Sequence, residues 1–198
     1  VSRGGHAKNV IFLTADAFGV LPPVSLLTRD QTEYHFLSGY TSKVAGTELG
    51  VREPQPTFSA CFGGAFLSLH PTVYSRELMR KIEAQGARAY LVNTGWIGGP
   101  YGIGSRIDIA STRRIIHSIL DGVILDSELE TLPVFDLRIP RSLAGIQSSM
   151  LNPRSAWPKP SEWDAAARSL ARRFCDNYSS FTDNEHGRRL SGAGPHVE

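Results

Sequence analysis

The run Lys8-Asn9-Val10-Ile11-Phe12-Leu13-Thr14 decides the fold class that this sequence predicts. It is a short, continuous apolar run rich in β-branched and aromatic residues, which is typical of a buried strand. A second run of this kind occupies residues 87–93. Between the two, the apolar face of residues 72–85 predicts a helix that ends at Gly86. The order strand, helix, strand predicts an α/β protein with a mixed sheet and flanking helices.

Local signals mark the remaining elements. Thr28 is placed to cap the N-terminus of a helix, and Ser161-Glu162-Trp163-Asp164 is close to a capping box. The apolar run over residues 58–69 is expected to pack in the interior. From these signals we predict helices over residues 29–39, 111–120, 161–178 and 183–190, and an extended segment over residues 132–139.

Composition and charge exclude several classes of protein. The chain has 198 residues, of which 41% are hydrophobic, and 21 Lys+Arg against 19 Asp+Glu give a net charge of +2. No apolar run approaches the roughly 18 residues of a membrane helix, so no membrane partner is expected. The cations are scattered along the chain instead of forming a basic run, which argues against nucleic acid as a partner.

The cysteines and the first residues bear on the compartment and on the extent of the chain. Cys61 and Cys175 are far apart and belong to no C-x-x-C pair, so neither a disulfide framework nor a zinc ribbon is predicted. Residues 1–6 carry neither the cationic nor the apolar region of a signal peptide. We therefore expect a reducing, cytoplasmic location and a chain taken from a longer protein.

A glycine-rich loop over residues 94–106 separates the second predicted strand from the helix predicted at Ser111. Such a loop lets backbone N–H groups approach a ligand, but its pattern is neither a P-loop nor a proper dinucleotide-binding fingerprint. On the glycines alone, a surface turn is the favoured interpretation. Arg106 and Thr112 shift the balance toward a ligand, because a guanidinium can stack on a base or pair with phosphate and a hydroxyl lies near a helix N-terminus.

Other polar residues give weaker signals. The six histidines show no spacing typical of metal ligands, and no metal site is predicted from this chain. His35 and His117 are expected to be hydrogen-bonded, partly buried residues of helices. Asp16 follows the first strand, where α/β proteins place ligands. A single carboxylate does not define a catalytic mechanism.

Several long stretches resemble ATP-dependent phosphoenolpyruvate carboxykinase. The longest is NVIFLTADAFGVLPPVS, residues 9–25, and another is EPQPTFSACFG, residues 53–63. The resemblance covers nearly the whole chain and corresponds to the C-terminal part of that enzyme. The departures from the family begin at residues 97–101, a loop that some members have in shorter form. Further matching stretches are residues 34–41, 43–48, 70–71 and 91–96.

The resemblance implies an enzyme that converts oxaloacetate and ATP to phosphoenolpyruvate, CO2 and ADP in gluconeogenesis, using Mg2+ and a second divalent metal such as Mn2+. Arg106, Ile107 and Thr112 match the positions that hold the adenine nucleotide in that family. Residues 45–57 match its mobile active-site lid, a flexible loop. The lid residues implied by the match are Gly46, Thr47, Glu48, Gly50, Arg52 and Glu53.

The resemblance also implies which parts lie outside this chain. The family's phosphate-binding loop, metal-binding residues and oxaloacetate-binding arginines all precede the matching region, so no catalytic residue is assigned here. Residues 1–198 are expected to be the C-terminal nucleotide-binding and lid portion of a larger carboxykinase, partnered by its N-terminal part and inactive alone. In one bacterial form calcium is held on the penultimate helix. The matching positions are Asp164 and Ala167, which argues against calcium activation.

Two alternatives remain open from the residues. The chain could be a non-catalytic nucleotide-binding or interaction module that uses the same surface. An NAD-binding domain is the weaker alternative, because no acidic residue follows the glycines at the expected distance on a second strand end.

Overall fold

A five-stranded mixed sheet organises the structure, a computed structural model that describes residues 4–43 and 53–197. The strands are β1 (Asn9–Thr14), β2 (Val24–Leu26), β3 (Tyr40–Lys43), β4 (Gln55–Phe58), β5 (Arg88–Asn93), β6 (Trp96–Ile97), β7 (Ser105–Arg106), β8 (Leu129–Leu132) and β9 (Leu137–Pro140). The α-helices are α1 (Arg29–Ser38), α2 (Pro71–Gln85), α3 (Ile109–Leu120), α4 (Ser148–Leu151), α5 (Pro153–Ala156), α6 (Pro160–Tyr178) and α7 (Glu185–Leu190).

The main sheet has the strand order β1-β5-β2-β9-β8. β1 and β5 are parallel, with Thr14 beside Asn93, whereas every other neighbouring pair in the sheet is antiparallel. The predicted α/β class with a mixed sheet and flanking helices is confirmed. Because β1 and β5 run in the same direction, the loops that follow them emerge at the same edge of the sheet.

Helices cover both faces of the sheet. On β5, Leu91 points into a cluster with Trp163 and Phe174 of α6, while Val92 points into a second cluster with Ile115 of α3. A strand covered on both faces is apolar at successive positions instead of alternating. This explains why β5 was a clear strand in the sequence, whereas β1 is covered less completely, since Leu13 is 57% exposed.

The predicted caps of the first two long helices are confirmed. Thr28 accepts a hydrogen bond from the backbone N–H of Gln31, whose side chain bonds back to the Thr28 N–H, which is a complete capping box. Gly39 and Gly86 end α1 and α2 in the left-handed conformation. The prediction for α6 was wrong at its start, because Pro160 occupies the first turn and no side chain caps this helix.

The extended segment predicted over residues 132–139 is instead a hairpin. β8 ends at Leu132, Pro133 opens the turn, and β9 begins at Leu137. Val134 and Asp136 adopt positive φ angles of 71° and 50°, which an extended strand does not allow. The apolar alternation persisted through the turn because Phe135 is buried in the core.

Two further predictions were wrong in part. Within residues 58–69, Phe58, Ala60 and Cys61 are half-buried against the core, but the run then forms two single turns of 3-10 helix, and Phe66 and Leu69 are 90% and 59% exposed. The long loop predicted over residues 45–57 ends earlier than expected, because β4 begins at Gln55 and pairs with β3. Pro56 is compatible with β4 because this is a two-stranded sheet, in which each strand has a free edge.

Two further observations concern the cysteines and the helices. Cys61 and Cys175 are both free thiols. Within residues 4–43 and 53–197, no helix combines the length and apolar character needed to cross a bilayer.

Candidate functional site

Asp16 organises the loop that follows β1. Its carboxylate is fully buried and accepts hydrogen bonds from the backbone N–H groups of Phe18, Val20 and Leu21 at 2.7 to 3.0 Å and from the Tyr40 hydroxyl at 2.9 Å. Burial raises the pKa of the Asp16 carboxyl, and these four donors oppose the increase. With four donors committed to it, this carboxylate holds the loop in shape and is not free to act on a ligand.

Asn93 ties the ends of β1 and β5 together. Its Oδ1 accepts from the backbone N–H of Asp16 at 2.9 Å and of Gly95 at 2.8 Å, and its Nδ2 donates to the Leu21 carbonyl at 2.9 Å. A Cβ on Gly95 would lie 2.1 Å from the Asp16 carbonyl oxygen, so only glycine fits at this position. The first glycine of the cluster therefore has a packing role.

The glycine-rich loop is closed by a small hairpin. β6 pairs with β7, which places Trp96 opposite Arg106, and the Ile107 N–H donates to the Gly95 carbonyl at 2.8 Å. Trp96 and Ile97 are buried. The loop is therefore a surface turn only in part: residues 101–103 form an exposed turn, whereas residues 95–97 are buried and anchor the loop in the protein.

Arg106 is held at the surface by two contacts. Its Nε donates to the Thr94 carbonyl at 3.1 Å, and its guanidinium carbon lies 5.5 Å from the centre of the Trp96 ring. Tyr101 packs edge-on against the same indole. These contacts fix the guanidinium while leaving the side chain exposed, so it can offer a planar surface and its remaining N–H groups to a ligand.

Thr112 lies in the first turn of α3, close to Arg106 and Ile107. Its hydroxyl donates to the Asp108 carbonyl at 3.1 Å, which leaves the oxygen lone pairs available as acceptors. Ile107 is only 5% exposed, so it contributes a small apolar part of the surface. The three residues that the sequence singled out therefore line one cavity of about 480 Å3. Its full lining is Thr94, Arg106, Ile107, Asp108, Ile109, Thr112 and Arg113.

Sequence reasoning missed four residues of this lining: Thr94, Asp108, Ile109 and Arg113. It also missed Trp96, which supports Arg106 from outside the lining. Asp108 caps α3 by accepting from the Ser111 N–H and hydroxyl, both at 2.7 Å, and these bonds hold the pKa of its carboxyl below the usual value. An aspartate just before an apolar helix is a cap signal, so Asp108 could have been found. The Trp96 contact could not, because it depends on hairpin pairing.

The family model for the ATP-dependent type of phosphoenolpyruvate carboxykinase matches residues 1–149. The chain belongs to this family. It is therefore a carboxykinase-family enzyme, and phosphoenolpyruvate carboxykinases of this type use ATP and divalent metals. The matched region contains the whole five-stranded sheet and the cavity beside α3, and it ends within α4.

The lid residues expected from the carboxykinase resemblance lie mostly outside the described residues. Gly46, Thr47, Glu48, Gly50 and Arg52 belong to that part, and Glu53 is exposed. The strands on either side of the segment can be placed. The Thr14 hydroxyl donates to the Tyr40 carbonyl at 2.8 Å, so β3 starts at the carboxyl end of β1. The β3–β4 pair therefore begins at the sheet edge from which Thr94 also emerges.

The described ranges show no cluster of side chains suited to the divalent metals of the carboxykinase family. Residues 4–43 and 53–197 contain no group of three or more His, Cys, Asp or Glu side chains able to hold a metal ion. Asp164, at one of the calcium-matching positions, is held by Arg154 at 2.7 and 3.0 Å, and Ala167 is fully buried.

Proposed function

We propose that this chain is the C-terminal portion of an ATP-dependent phosphoenolpyruvate carboxykinase, in which it supplies the adenine end of the nucleotide site and the active-site lid. The full enzyme converts oxaloacetate and ATP to phosphoenolpyruvate, CO2 and ADP. The observation that carries the proposal is the convergence of Arg106, Ile107 and Thr112 on one cavity at the carboxyl edge of β5. In open α/β sheets, ligands bind beyond the carboxyl ends of the strands.

Arg106 is proposed to form a platform for the adenine base. One side of its guanidinium is occupied by the Trp96 ring, and its Nε is bound to the Thr94 carbonyl. The side chain is exposed and lines the cavity, so its guanidinium can stack on a planar base. Because the guanidinium is already oriented, little side-chain entropy is lost when the base binds.

Thr112 is proposed to select adenine at the edge of the base. Its hydroxyl proton is engaged by the Asp108 carbonyl, so the oxygen can only accept a hydrogen bond from the ligand. Adenine presents an exocyclic amino group, which is a donor. Guanine presents a carbonyl oxygen at the corresponding ring position, and two acceptors would then face each other.

The charge at the start of α3 favours the adenine base of ATP in this cavity over its phosphates. A free helix N-terminus attracts phosphate, but here the Asp108 carboxylate already binds the Ser111 N–H and neutralises that end. A phosphate placed there would meet like charge. The phosphates of ATP are therefore proposed to extend away from α3.

The remaining parts of the active site are proposed to come from the N-terminal part of the same enzyme. These parts are the cations around the phosphates, the two metals, which would assist phosphoryl transfer, and the oxaloacetate-binding arginines. The segment between β3 and β4 is proposed to close over the substrates, exclude water and protect the enolate from protonation. The start of β3 beside Thr14 supports this placement.

Because essential parts of the active site are assigned to the upstream region, we predict that the purified 198-residue chain forms no phosphoenolpyruvate from oxaloacetate and ATP in a coupled assay. The same chain joined to its native upstream region is expected to form it in an ATP-dependent reaction. Robust activity of the chain alone would refute the assignment of these parts to the upstream region. An extended polypeptide that binds ATP but forms no product would instead support a non-catalytic nucleotide-binding module.

The platform role predicts that Arg106→Ala, in the enzyme with its upstream region, raises the KM for ATP about tenfold while leaving the KM for oxaloacetate within about twofold. The loss of one stacking and cation contact corresponds to about 1 to 2 kcal/mol. Steady-state kinetics with each substrate varied would measure both constants. Arg172→Ala, an exposed arginine on α6, is the matched control. Equal effects on the two substrates would contradict the role.

A further inference from the structure

A second cavity lies at the opposite edge of the main sheet, where β5 begins. Its volume is about 490 Å3, within the range of small-molecule sites. Arg88 is the first residue of β5 and Thr94 follows its last, so about 20 Å of extended strand separates this cavity from the one beside α3. The lining is Leu26, Leu27, Arg29, Thr32, Met79, Ile82, Glu83, Gly86, Ala87, Arg88, Ala89, Tyr90, Leu125 and Arg138.

Strand register places three polar residues of this cavity, Arg88, Tyr90 and Arg138, on one face of the sheet. Leu26 of β2 lies between Tyr90 of β5 and Arg138 of β9, so these three side chains are cross-strand neighbours. Arg88 precedes Tyr90 by two residues and therefore shares its face. Two guanidinium groups thus flank a tyrosine and a leucine.

Tyr90 has an unused hydroxyl. Its side chain is 1% exposed, and the hydroxyl oxygen is buried without a hydrogen-bond partner among the described residues. The charge of Arg88 acts on this hydroxyl, since it lowers the pKa of Tyr90 against the increase caused by burial. A buried hydroxyl without a partner is unfavourable, and a ligand oxygen within reach would remove that cost.

The two flanking cations are also unused. Arg88 and Arg138 are exposed, and neither guanidinium forms an ion pair or hydrogen bond with any residue that the structure describes. Arg29, at the rim of the same cavity, is different because Glu83 holds it at 2.8 Å. The residue between Tyr90 and Arg138 in the strand register is the apolar Leu26, and Ile82 and Met79 of α2 add apolar surface to the same cavity.

We propose that this cavity binds a small organic anion with a flat apolar body, a carboxylate being the matching head group. Arg88 and Arg138 hold the carboxylate, and the Tyr90 hydroxyl donates to one of its oxygens. The apolar body lies on Leu26 and its neighbours. This site is separate from the nucleotide cavity and does not depend on the function proposed for that cavity.

Isothermal titration of the 198-residue chain with naphthalene-2-carboxylate and with naphthalene-2-carboxamide tests the site, because the two probes differ in charge and share the same body. We expect one carboxylate per chain, bound at least tenfold more tightly than the amide. Arg88→Gln with Arg138→Gln should weaken carboxylate binding at least tenfold. Tyr90→Phe should weaken it about threefold to tenfold, as expected for one lost hydrogen bond. Saturating ATP should not displace the probe.

Matched controls separate this site from general attraction of an anion to a cationic protein. Arg168→Gln with Arg172→Gln removes two exposed cations on α6 and should leave binding unchanged. Equal affinity for the two probes, no measurable binding, an equal loss in the control pair, or displacement by ATP would each overturn the proposal. Circular dichroism and thermal unfolding of each variant confirm that the fold is retained.

Discussion

Asp16→Ala is expected to lower the free energy of unfolding by about 4 kcal/mol, the largest effect predicted here, because a buried donor that loses its acceptor costs about 1 to 3 kcal/mol. The substitution removes the shared acceptor of three backbone N–H groups and the Tyr40 hydroxyl, all in the interior. The sum is reduced because the loop after β1 can rearrange in part. Asp16→Asn keeps the shape but replaces one acceptor oxygen by a donor, so an intermediate loss is expected.

Urea unfolding followed by circular dichroism would measure this effect. Asp126→Ala is the control, since Asp126 is exposed and should change stability by less than about 0.5 kcal/mol. A similar, small change in both variants would show that the Asp16 carboxylate does not hold the loop. The loss should also reach the cavity beside α3, because the Asp16 backbone binds the Asn93 side chain and the Trp96 N–H.

His35 is expected to make the protein less stable as the pH falls from about 6.5 to about 4. Burial lowers the pKa of His35 from its usual 6.5 to about 4, and its neighbours include the rings of Tyr34 and Phe174. The unfolded chain therefore binds a proton at a pH where the folded protein does not. Stability is retained above pH 6.5, decreases below it, and at pH 4.5 is lower by roughly 2 to 3 kcal/mol from this group alone.

The test compares wild type and His35→Gln by urea unfolding at pH 7.5 and pH 4.5. Other groups titrate in both proteins, so the informative quantity is the difference between the two pH-dependent losses. The wild type should lose roughly 2 to 3 kcal/mol more than the variant, as expected from the His35 pKa shift. Identical losses would show that His35 is protonated in the folded state.

Much of the fold could be predicted because its signals are local. The continuous apolar runs identified β1 and β5, and capping residues fixed the start and end of α1 within a single turn. Arg106 and Thr112 were found because a guanidinium and a hydroxyl follow a glycine-rich loop. Ile107 came only from the family resemblance. These features depend on residues within a few positions of one another, which is the range over which a sequence pattern is informative.

Other features depend on pairing between distant residues and could not be predicted. β2 has only three residues and is a strand because β5 and β9 lie on either side of it. The histidines show the same limit: His35 is almost fully buried while His117 is exposed, although both were expected to be partly buried. Burial is set by which helix face meets the sheet.

The sequence by itself determined the α/β class, the principal strands and helices, and the membership of the carboxykinase family. Tertiary structure alone decided that Asp16 is enclosed by four donors, that Trp96 supports Arg106, and that Arg88 and Arg138 flank Tyr90. The physical reason is the same in each case. Local backbone preferences are encoded over a few residues, whereas the surroundings of a charged group depend on which distant segments the fold brings against it.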